Sequence, residues 1–207
     1  DPHPVHTFPP PPSSDLDHSE SMSYRSEFAP CLKRDRALVL GLALANLLTR
    51  AGERVAALGQ DGIPSSGRTG LNRLSNHWLS DKAQASEHSG LPPLQGLPRY
   101  ATMVLIGDFL DPTAALTKRV RQLAASGVAG HLVQVLDPAE TDLPFDGRTE
   151  FEGVEEDLKL LVSRAETIRT AYQDRLASHQ AALRDMARSI SWSFATHRTD
   201  HSATSAL

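Results

Sequence analysis

The chain has 207 residues, which suits one domain with a hydrophobic core, alone or with an appendage. Its 21 Lys+Arg and 25 Asp+Glu nearly balance, and no basic cluster points to nucleic acid or a membrane surface as the partner. The single cysteine, Cys31, excludes an intramolecular disulfide framework, and the longest apolar run, residues 38–48, is too short to span a bilayer. We therefore expect a cytoplasmic protein without a membrane span.

The beginning of the chain is rich in proline, with four consecutive prolines at positions 9–12. Such a segment favours the extended polyproline conformation and cannot build a core. We predict that residues 1–14 form a tail or linker and that the folded domain comprises residues 15–207.

A carboxylate and two hydroxyls follow at alternating positions, in the pattern Asp17-x-Ser19-x-Ser21. In a loop that leaves a strand, these oxygens can point at one small cation, and Mg²⁺ prefers oxygen ligands while it retains part of its water shell. The same residue types also cap helix N-termini by accepting backbone N–H groups. The pattern alone therefore leaves two interpretations, a magnesium site and a helix cap.

Strand and helix patterns alternate through the middle of the chain. The clearest strand is the apolar run 102–107, which is of the kind that a parallel sheet buries on both faces and which ends in Asp108. This alternation predicts an α/β fold, a mostly parallel sheet with helices on both faces. Because ligands gather at the carboxyl ends of such strands, Asp17, the loop 60–70 and Asp108 would lie at one edge. Further strands are predicted at 54–59 and 131–136, and helices at 35–50, 71–79 and 116–125.

The last large element is a helical stretch at 155–190, where apolar residues recur at gaps of three and four. A helix of this length exceeds what the sheet can cover, and its uncovered half would offer a protein-binding stripe. The alternative is that the stretch breaks into two helices that both pack on the domain.

Three parts of the sequence resemble a von Willebrand factor A domain with its metal-ion-dependent adhesion site: the Asp-x-Ser-x-Ser loop, the segment Gly67-Arg68-Thr69, and Asp108 at a strand end. The sequence is more specifically similar to the bacterial family called domain of unknown function 58, usually encoded beside MoxR-type AAA+ ATPases. That similarity extends over about residues 15–207. It is carried by residues 127–140, 143–145 and 147–153, by Trp192-Ser193-Phe194, and by residues 197–200.

The resemblance implies a role for each residue of the metal site. Ser19 and Ser21 would ligate Mg²⁺ directly, and Thr69 would do so directly or through water. Asp17 and Asp108 would act mainly through bound water, and as charges that orient the ligands and offset the ion. The remaining coordination position would accept a carboxylate of a partner protein.

The function that the resemblance implies is binding rather than catalysis. The fold that the resemblance implies is a von Willebrand factor A-like, Rossmann-like domain with a hairpin-like insert near 143–153. Such a domain would be a non-enzymatic protein-interaction module that assists a MoxR-type AAA+ ATPase in assembling or remodelling a client complex.

One alternative is a metal-free structural or interaction domain. The family has an apolar strand before the first aspartate, but residues 12–16 contain a single apolar side chain apart from Pro12. Either the central strand is degenerate or the loop is misplaced, and both would weaken a metal site.

A second alternative is a nucleotide-binding enzyme. Residues 62–69 fit G-x-x-x-x-G-[K]-T with arginine in place of lysine, and residues 103–108 resemble the strand and aspartate that hold Mg²⁺ in P-loop NTPases. A planar arginine does not fit the place of the P-loop lysine, and Pro64 removes an N–H that would cradle phosphate.

Overall fold

The computed structural model of the chain describes residues 12–59, 63–80, 91–92, 97, 100–152 and 159–206, with the backbone alone at residues 152, 159 and 160. Most of the predicted tail, residues 1–11, lies outside these ranges. None of the helices within them is long and apolar enough to cross a membrane.

The described residues form strands and helices that alternate along most of the chain. The strands are β1 (Ser13–Leu16), β2 (Ala56–Ala57), β3 (Thr102–Gly107), β4 (Ala129–Leu136), β5 (Thr149–Glu152), β6 (Lys159–Val162) and β7 (Ser193–Arg198). The α-helices are α1 (Lys33–Arg50), α2 (Gly67–Trp78), α3 (Thr113–Ala125), α4 (Pro138–Asp142) and α5 (Arg169–Ser189).

Five of the strands pair in parallel to form the central sheet, in the order β2-β1-β3-β4-β7. Apolar residues of α1 and α2 pack on one face, where Leu40, Leu74 and Trp78 join a buried cluster with Ile106. Residues of α3 and α5 join a second cluster on the other face with Leu105. The prediction of an α/β fold with a parallel sheet and helices on both faces is therefore confirmed.

The central strand β1 is polar, although it is hydrogen-bonded on both sides. Ser13 pairs with Ala56 of β2 and with Met103 of β3, so the backbone groups of the strand are satisfied whatever its side chains are. Strand β1 thus begins at Ser13, two residues before the predicted domain boundary, and the strand before the Asp-x-Ser-x-Ser loop is degenerate but present. Burial is the main cause that raises the pKa of its Asp15 carboxyl to about 7, and the nearby Asp17 carboxylate adds to this shift.

The prediction of a helical stretch at 155–190 is wrong for its first part. Strands β5 and β6 form an antiparallel hairpin, and α5 begins only at Arg169. Arg164 has extended backbone angles, which separates the hairpin from the helix. Apolar spacing of three or four over a few residues cannot separate a short strand from a helix turn, because both bury some of these positions. Residues 155–158 lie outside the described ranges.

The prediction of a loop at 60–70 is wrong at its end. Helix α2 begins at Gly67, so the Gly67-Arg68-Thr69 segment is the first turn of a helix. Ser66 precedes it with extended backbone angles, and Ser65 pairs with Val55 in an isolated antiparallel bridge. The chain therefore turns back after β2 before the helix starts.

Candidate metal centre at the carboxyl edge of the sheet

Three neighbouring strands of the sheet end in an aspartate. Asp17 follows β1, Asp108 follows β3 and Asp137 follows β4, and these strands lie side by side in parallel. Parallel strands bring their carboxyl ends to one edge. The three carboxyl groups are thus gathered at the place where open α/β sheets bind ligands.

The Asp17 loop is tightly folded by its own side chains. The Asp17 backbone N–H donates to the Ile106 carbonyl at 2.9 Å, which ties the loop to the end of β3. The Asp17 Oδ1 accepts the Ser19 N–H at 2.8 Å, and the hydroxyls of Ser19 and Ser21 are 2.9 Å apart. Ser19 is buried and Ser21 half-buried. The loop thereby holds two hydroxyls side by side beside a carboxylate.

Asp17 fits against the last residue of β3 because that residue is a glycine. A Cβ at Gly107 would lie 2.7 Å from the Asp17 Cβ and 2.8 Å from its Oδ2. Burial raises the pKa of the Asp17 carboxyl, and the nearby Asp108 and Asp111 carboxylates raise it further, although the Ser19 N–H opposes this. The edge therefore carries mutually repelling negative groups.

Asp108 is buried and bound by a buried lysine of α1. The Lys33 Nζ donates to the Asp108 Oδ2 at 2.8 Å and to the Glu140 Oε1 at 2.6 Å, and the lysine side chain is 0% exposed. Burial alone would lower the pKa of the Lys33 ammonium, but the two carboxylates together raise it above its usual value. The ammonium is therefore a permanent positive charge within the edge at neutral pH.

Glu140 reaches the lysine because a capping box fixes the start of α4. The Asp137 side chain accepts the Ala139 N–H at 2.8 Å, and the Glu140 Oε2 accepts the Asp137 N–H at 2.8 Å. Asp137 also accepts hydrogen bonds from the backbone N–H and the hydroxyl of Ser26. Asp137 is thus committed to a structural role and holds the segment before α1 against α4.

Thr69 does not lie with the other predicted ligands. It is exposed in the first turn of α2, where a Cβ at the adjacent Gly70 would be 3.3 Å from the Val55 side chain. Val55 precedes Ala56, the pairing partner of Ser13, and so lies at the amino end of the sheet. From that level to Asp17 the sheet extends about 16 Å, at about 3.3 Å for each strand residue.

It is the other end of α2 that approaches the Asp17 loop. A cavity of about 150 Å³ beside Asp17 is lined by His18, Arg34, Trp78 and Leu79 among others. The position of Thr69 also bears on the P-loop interpretation, because in P-loop NTPases the Ser or Thr that ends the motif and the aspartate after the strand bind the same Mg²⁺. Because Thr69 and Asp108 lie at opposite ends of the sheet, the nucleotide-binding interpretation loses its metal site.

A family model described as "Protein of unknown function DUF58" matches residues 15–182. The chain belongs to the DUF58 family. The match spans the second half of β1, the Asp17 loop, strands β2 to β6 and most of α5, so it includes every residue of the carboxyl edge described above.

Two solved structures resemble this DUF58 chain. The conserved hypothetical protein BatB from Bacteroides thetaiotaomicron has 12% sequence identity, with 94% of this chain and 93% of that chain covered and a TM-score of 0.46. An aerotolerance-related membrane protein from Bacteroides fragilis NCTC 9343, with multiple mutations to serines, has 15% identity, 94% of each chain covered and a TM-score of 0.45. The comparison with curated proteins gives no match.

The oxygen groups of this DUF58 chain fit a small hard cation in part. Oxygens bound to one octahedral Mg²⁺ at about 2.1 Å lie about 2.9 Å apart, which is the spacing of the Ser19 and Ser21 hydroxyls. Among the described residues, however, no three His, Cys, Asp or Glu side chains form a group that could hold a metal. A metal centre here therefore depends on the two hydroxyls and on water.

Sequence reasoning missed two residues of this edge. The first is Glu140, which belongs to a capping box with Asp137 after a strand, a signal that the sequence does contain. Lys33 had no comparable signal, because a lysine before an apolar helix is ordinarily exposed. Its burial follows only from the approach of α1 to Asp108, which is a tertiary relationship.

Proposed function

We propose that this DUF58 chain is a non-enzymatic protein-interaction domain that binds a carboxylate of its partner through Mg²⁺. The ion would be held by the hydroxyls of Ser19 and Ser21, while Asp17 and Asp108 act through bound water and by charge. The observation that carries the proposal is the pair of hydroxyls, 2.9 Å apart beside the Asp17 carboxylate.

The charges of the edge support a cation requirement. Asp108 and Glu140 share one buried ammonium, that of Lys33, and the nearby Asp17 carboxyl is close enough to Asp108 for that carboxylate to raise its pKa. Carboxylates in such proximity repel each other, and a bound divalent cation lowers that repulsion. The metal would supply a Lewis-acidic point to which a partner's carboxylate oxygen can bind.

The surroundings of the site suit a protein partner. The cavity beside Asp17 carries the exposed Arg34 and the apolar Leu79, whose side chain is 59% exposed. An acidic side chain of a partner could bind the ion while the neighbouring residues of the partner contact Arg34 and Leu79. An acidic loop or tail on the partner is therefore the chemistry that we expect.

The identity of the partner rests on the family resemblance. We propose a MoxR-type AAA+ ATPase, which the domain assists in assembling or remodelling a client complex. Thr69 is left out of the proposed ligand set because it lies at the amino end of the sheet.

A metal-free interaction domain is the second candidate. Lys33 favours it, because the Asp108 carboxylate already has a cationic partner at 2.8 Å. In that case the same surface would bind its partner without a divalent ion.

A pull-down separates the two candidates. Immobilised chain would be incubated with a purified MoxR-type ATPase, once with Mg²⁺ and once with EDTA. Capture that EDTA and Ser21→Ala both abolish, but the exposed Ser23→Ala leaves intact, supports the Mg²⁺-dependent site. Capture that EDTA does not change supports the metal-free domain, and absence of capture rejects this partner.

A further inference from the structure

The ion pair between Lys33 and Asp108 has an unusual position, since Asp108 is also one of the charges assigned to the metal centre. The Lys33 Nζ lies 2.8 Å from the Asp108 Oδ2 and 2.6 Å from the Glu140 Oε1. Its ammonium has no contact with solvent, and it lies over the Tyr24 ring, 5.9 Å from the ring centre. The ammonium is thus enclosed between two carboxylates and an aromatic ring.

The Asp108 carboxyl group has little freedom to leave this lysine. The backbone carbonyl of Asp108 accepts the Gln134 Nε2–H at 2.7 Å, and Gln134 is completely buried, which fixes the backbone at this position. Within the part of the chain that the structure describes, the other carboxylate oxygen, Oδ1, accepts a long hydrogen bond of 3.4 Å from the Leu110 N–H and no shorter one. One oxygen of Asp108 is therefore neutralised by Lys33, while the other has capacity for a further donor or for water bound to a cation.

We propose that Lys33 is a built-in competing cation that weakens the binding of divalent metal at the Asp17–Asp108 edge. It acts through Asp108: it holds the carboxylate in position and at the same time cancels part of the charge that would attract the ion. This inference rests on the proposed Mg²⁺ site and deepens it, because it assigns the residue that sets the site's affinity.

The physical reason is the distance dependence of charge interactions in a buried setting. A positive charge that shares a carboxylate with a divalent ion repels that ion over a few ångströms, where the effective dielectric constant is well below that of water. The negative charge that Lys33 cancels could be returned by a partner's carboxylate. The chain alone would then bind Mg²⁺ weakly, and the metal would be retained mainly in the complex.

The test compares Mn²⁺ binding by chains that differ in this charge. Lys33→Met alone would leave the Asp108 and Glu140 carboxylates without their cation, so Lys33→Met/Glu140→Gln is the main variant, because it removes one charge of each sign. Glu140→Gln alone is its reference. Lys118→Met removes the same positive charge from the exposed surface of α3 and controls for net charge. Dissociation constants would be measured by water-proton relaxation of Mn²⁺, with circular dichroism as the check that each chain is folded.

We expect the double variant to bind Mn²⁺ at least about tenfold more tightly than its reference Glu140→Gln and more tightly than the parent, and Lys118→Met to bind like the parent. A merely structural lysine would give the opposite result, since loosening Asp108 weakens a metal site. Equal or weaker binding by the double variant overturns the inference while the parent's binding still supports the metal centre. Binding by the double variant without detectable binding by the parent supports the inference. The pull-down with Mg²⁺ or EDTA then decides the proposed function, because the inference places the metal mainly in the complex. Absence of binding in both chains rejects both.

Discussion

Gly107 and Asp17 touch across the carboxyl ends of β3 and β1, at a distance that leaves no room for a side chain at position 107. A Cβ there would lie 2.7 Å from the Asp17 Cβ. Gly107→Ala should therefore push Asp17 away from the serine loop. We expect a loss of Mg²⁺ affinity of about tenfold or more, as is typical when a residue that orients metal ligands is displaced.

Isothermal titration with Mg²⁺ measures this effect, and Gly130→Ala is the control. A Cβ at Gly130 would meet the Trp192 ring near the amino end of β4, which crowds the core far from Asp17. The control should lose stability and keep its Mg²⁺ affinity. An unchanged affinity in Gly107→Ala would mean that the position of Asp17 does not matter for the ion.

The buried Lys33 makes a second prediction, on stability. Lys33→Met removes the cation between Asp108 and Glu140 and leaves the buried Asp108 and the partly buried Glu140 carboxylates without a cationic partner. Breaking a buried pair in this way typically costs about 3–5 kcal/mol in the free energy of unfolding. Urea unfolding should show that loss, and Lys33→Met/Glu140→Gln should recover a part of it. If both chains lost the same amount, the cause would be lost packing of the lysine stem rather than unpaired charge.

Asp15 gives a prediction about pH. Its pKa is raised from 3.8 to about 7, mainly by burial, so the folded state favours the protonated carboxyl. The stabilising effect is complete below about pH 4 and is lost as the pH rises through about 7. The free energy of unfolding should therefore fall over this range, by up to about 4 kcal/mol for a shift of about three pKa units. The raised pKa values of Asp17 and Glu140 act with the same sign.

Asp15→Asn isolates this contribution. Asparagine keeps an oxygen that can accept the Leu16 N–H, but it carries no charge to bury. In urea unfolding without divalent cations, the variant should exceed the parent in stability at pH 8 and match it near pH 4. An equal difference at both pH values would show that charge burial at Asp15 is not the cause.

Thr69 is the residue for which the ligand role implied by the sequence and the position in the structure disagree. Since Thr69 is exposed at the amino end of the sheet, Thr69→Ala should leave the Mg²⁺ affinity unchanged and alter stability by no more than about 0.5 kcal/mol. A calorimetric comparison with Ser21→Ala checks this. A large loss of affinity in Thr69→Ala would require a different position for α2.

The sequence was a good guide where one local pattern dominates. The apolar run 102–107 was predicted with the limits that β3 has, since a strand buried on both faces needs apolar side chains throughout. The aspartates after β1 and β3 were likewise predicted to meet at one edge, because parallel strands end together. The Asp17 and Asp108 carboxylates are close enough for one to raise the pKa of the other.

Prediction failed where the position depends on tertiary contacts. The Gly67-Arg68-Thr69 segment matches a ligand loop in letters, but the pairing of Val55 with Ser65 returns the chain to the amino end before α2 starts. Local spacing contains no information about that return. Lys33 was missed for the same reason, because its burial depends on Asp108 and Glu140, which lie 75 and 107 residues away in the chain.

The central claim is that the Ser19 and Ser21 hydroxyls hold a divalent cation, and isothermal titration of Mg²⁺ tests it most directly. The native chain should bind one ion, and Ser19→Ala/Ser21→Ala should bind none. Ser23→Ala, an exposed serine of the same loop, should behave like the native chain. Equal Mg²⁺ binding by the native chain and the double variant, or none by either, would contradict the account.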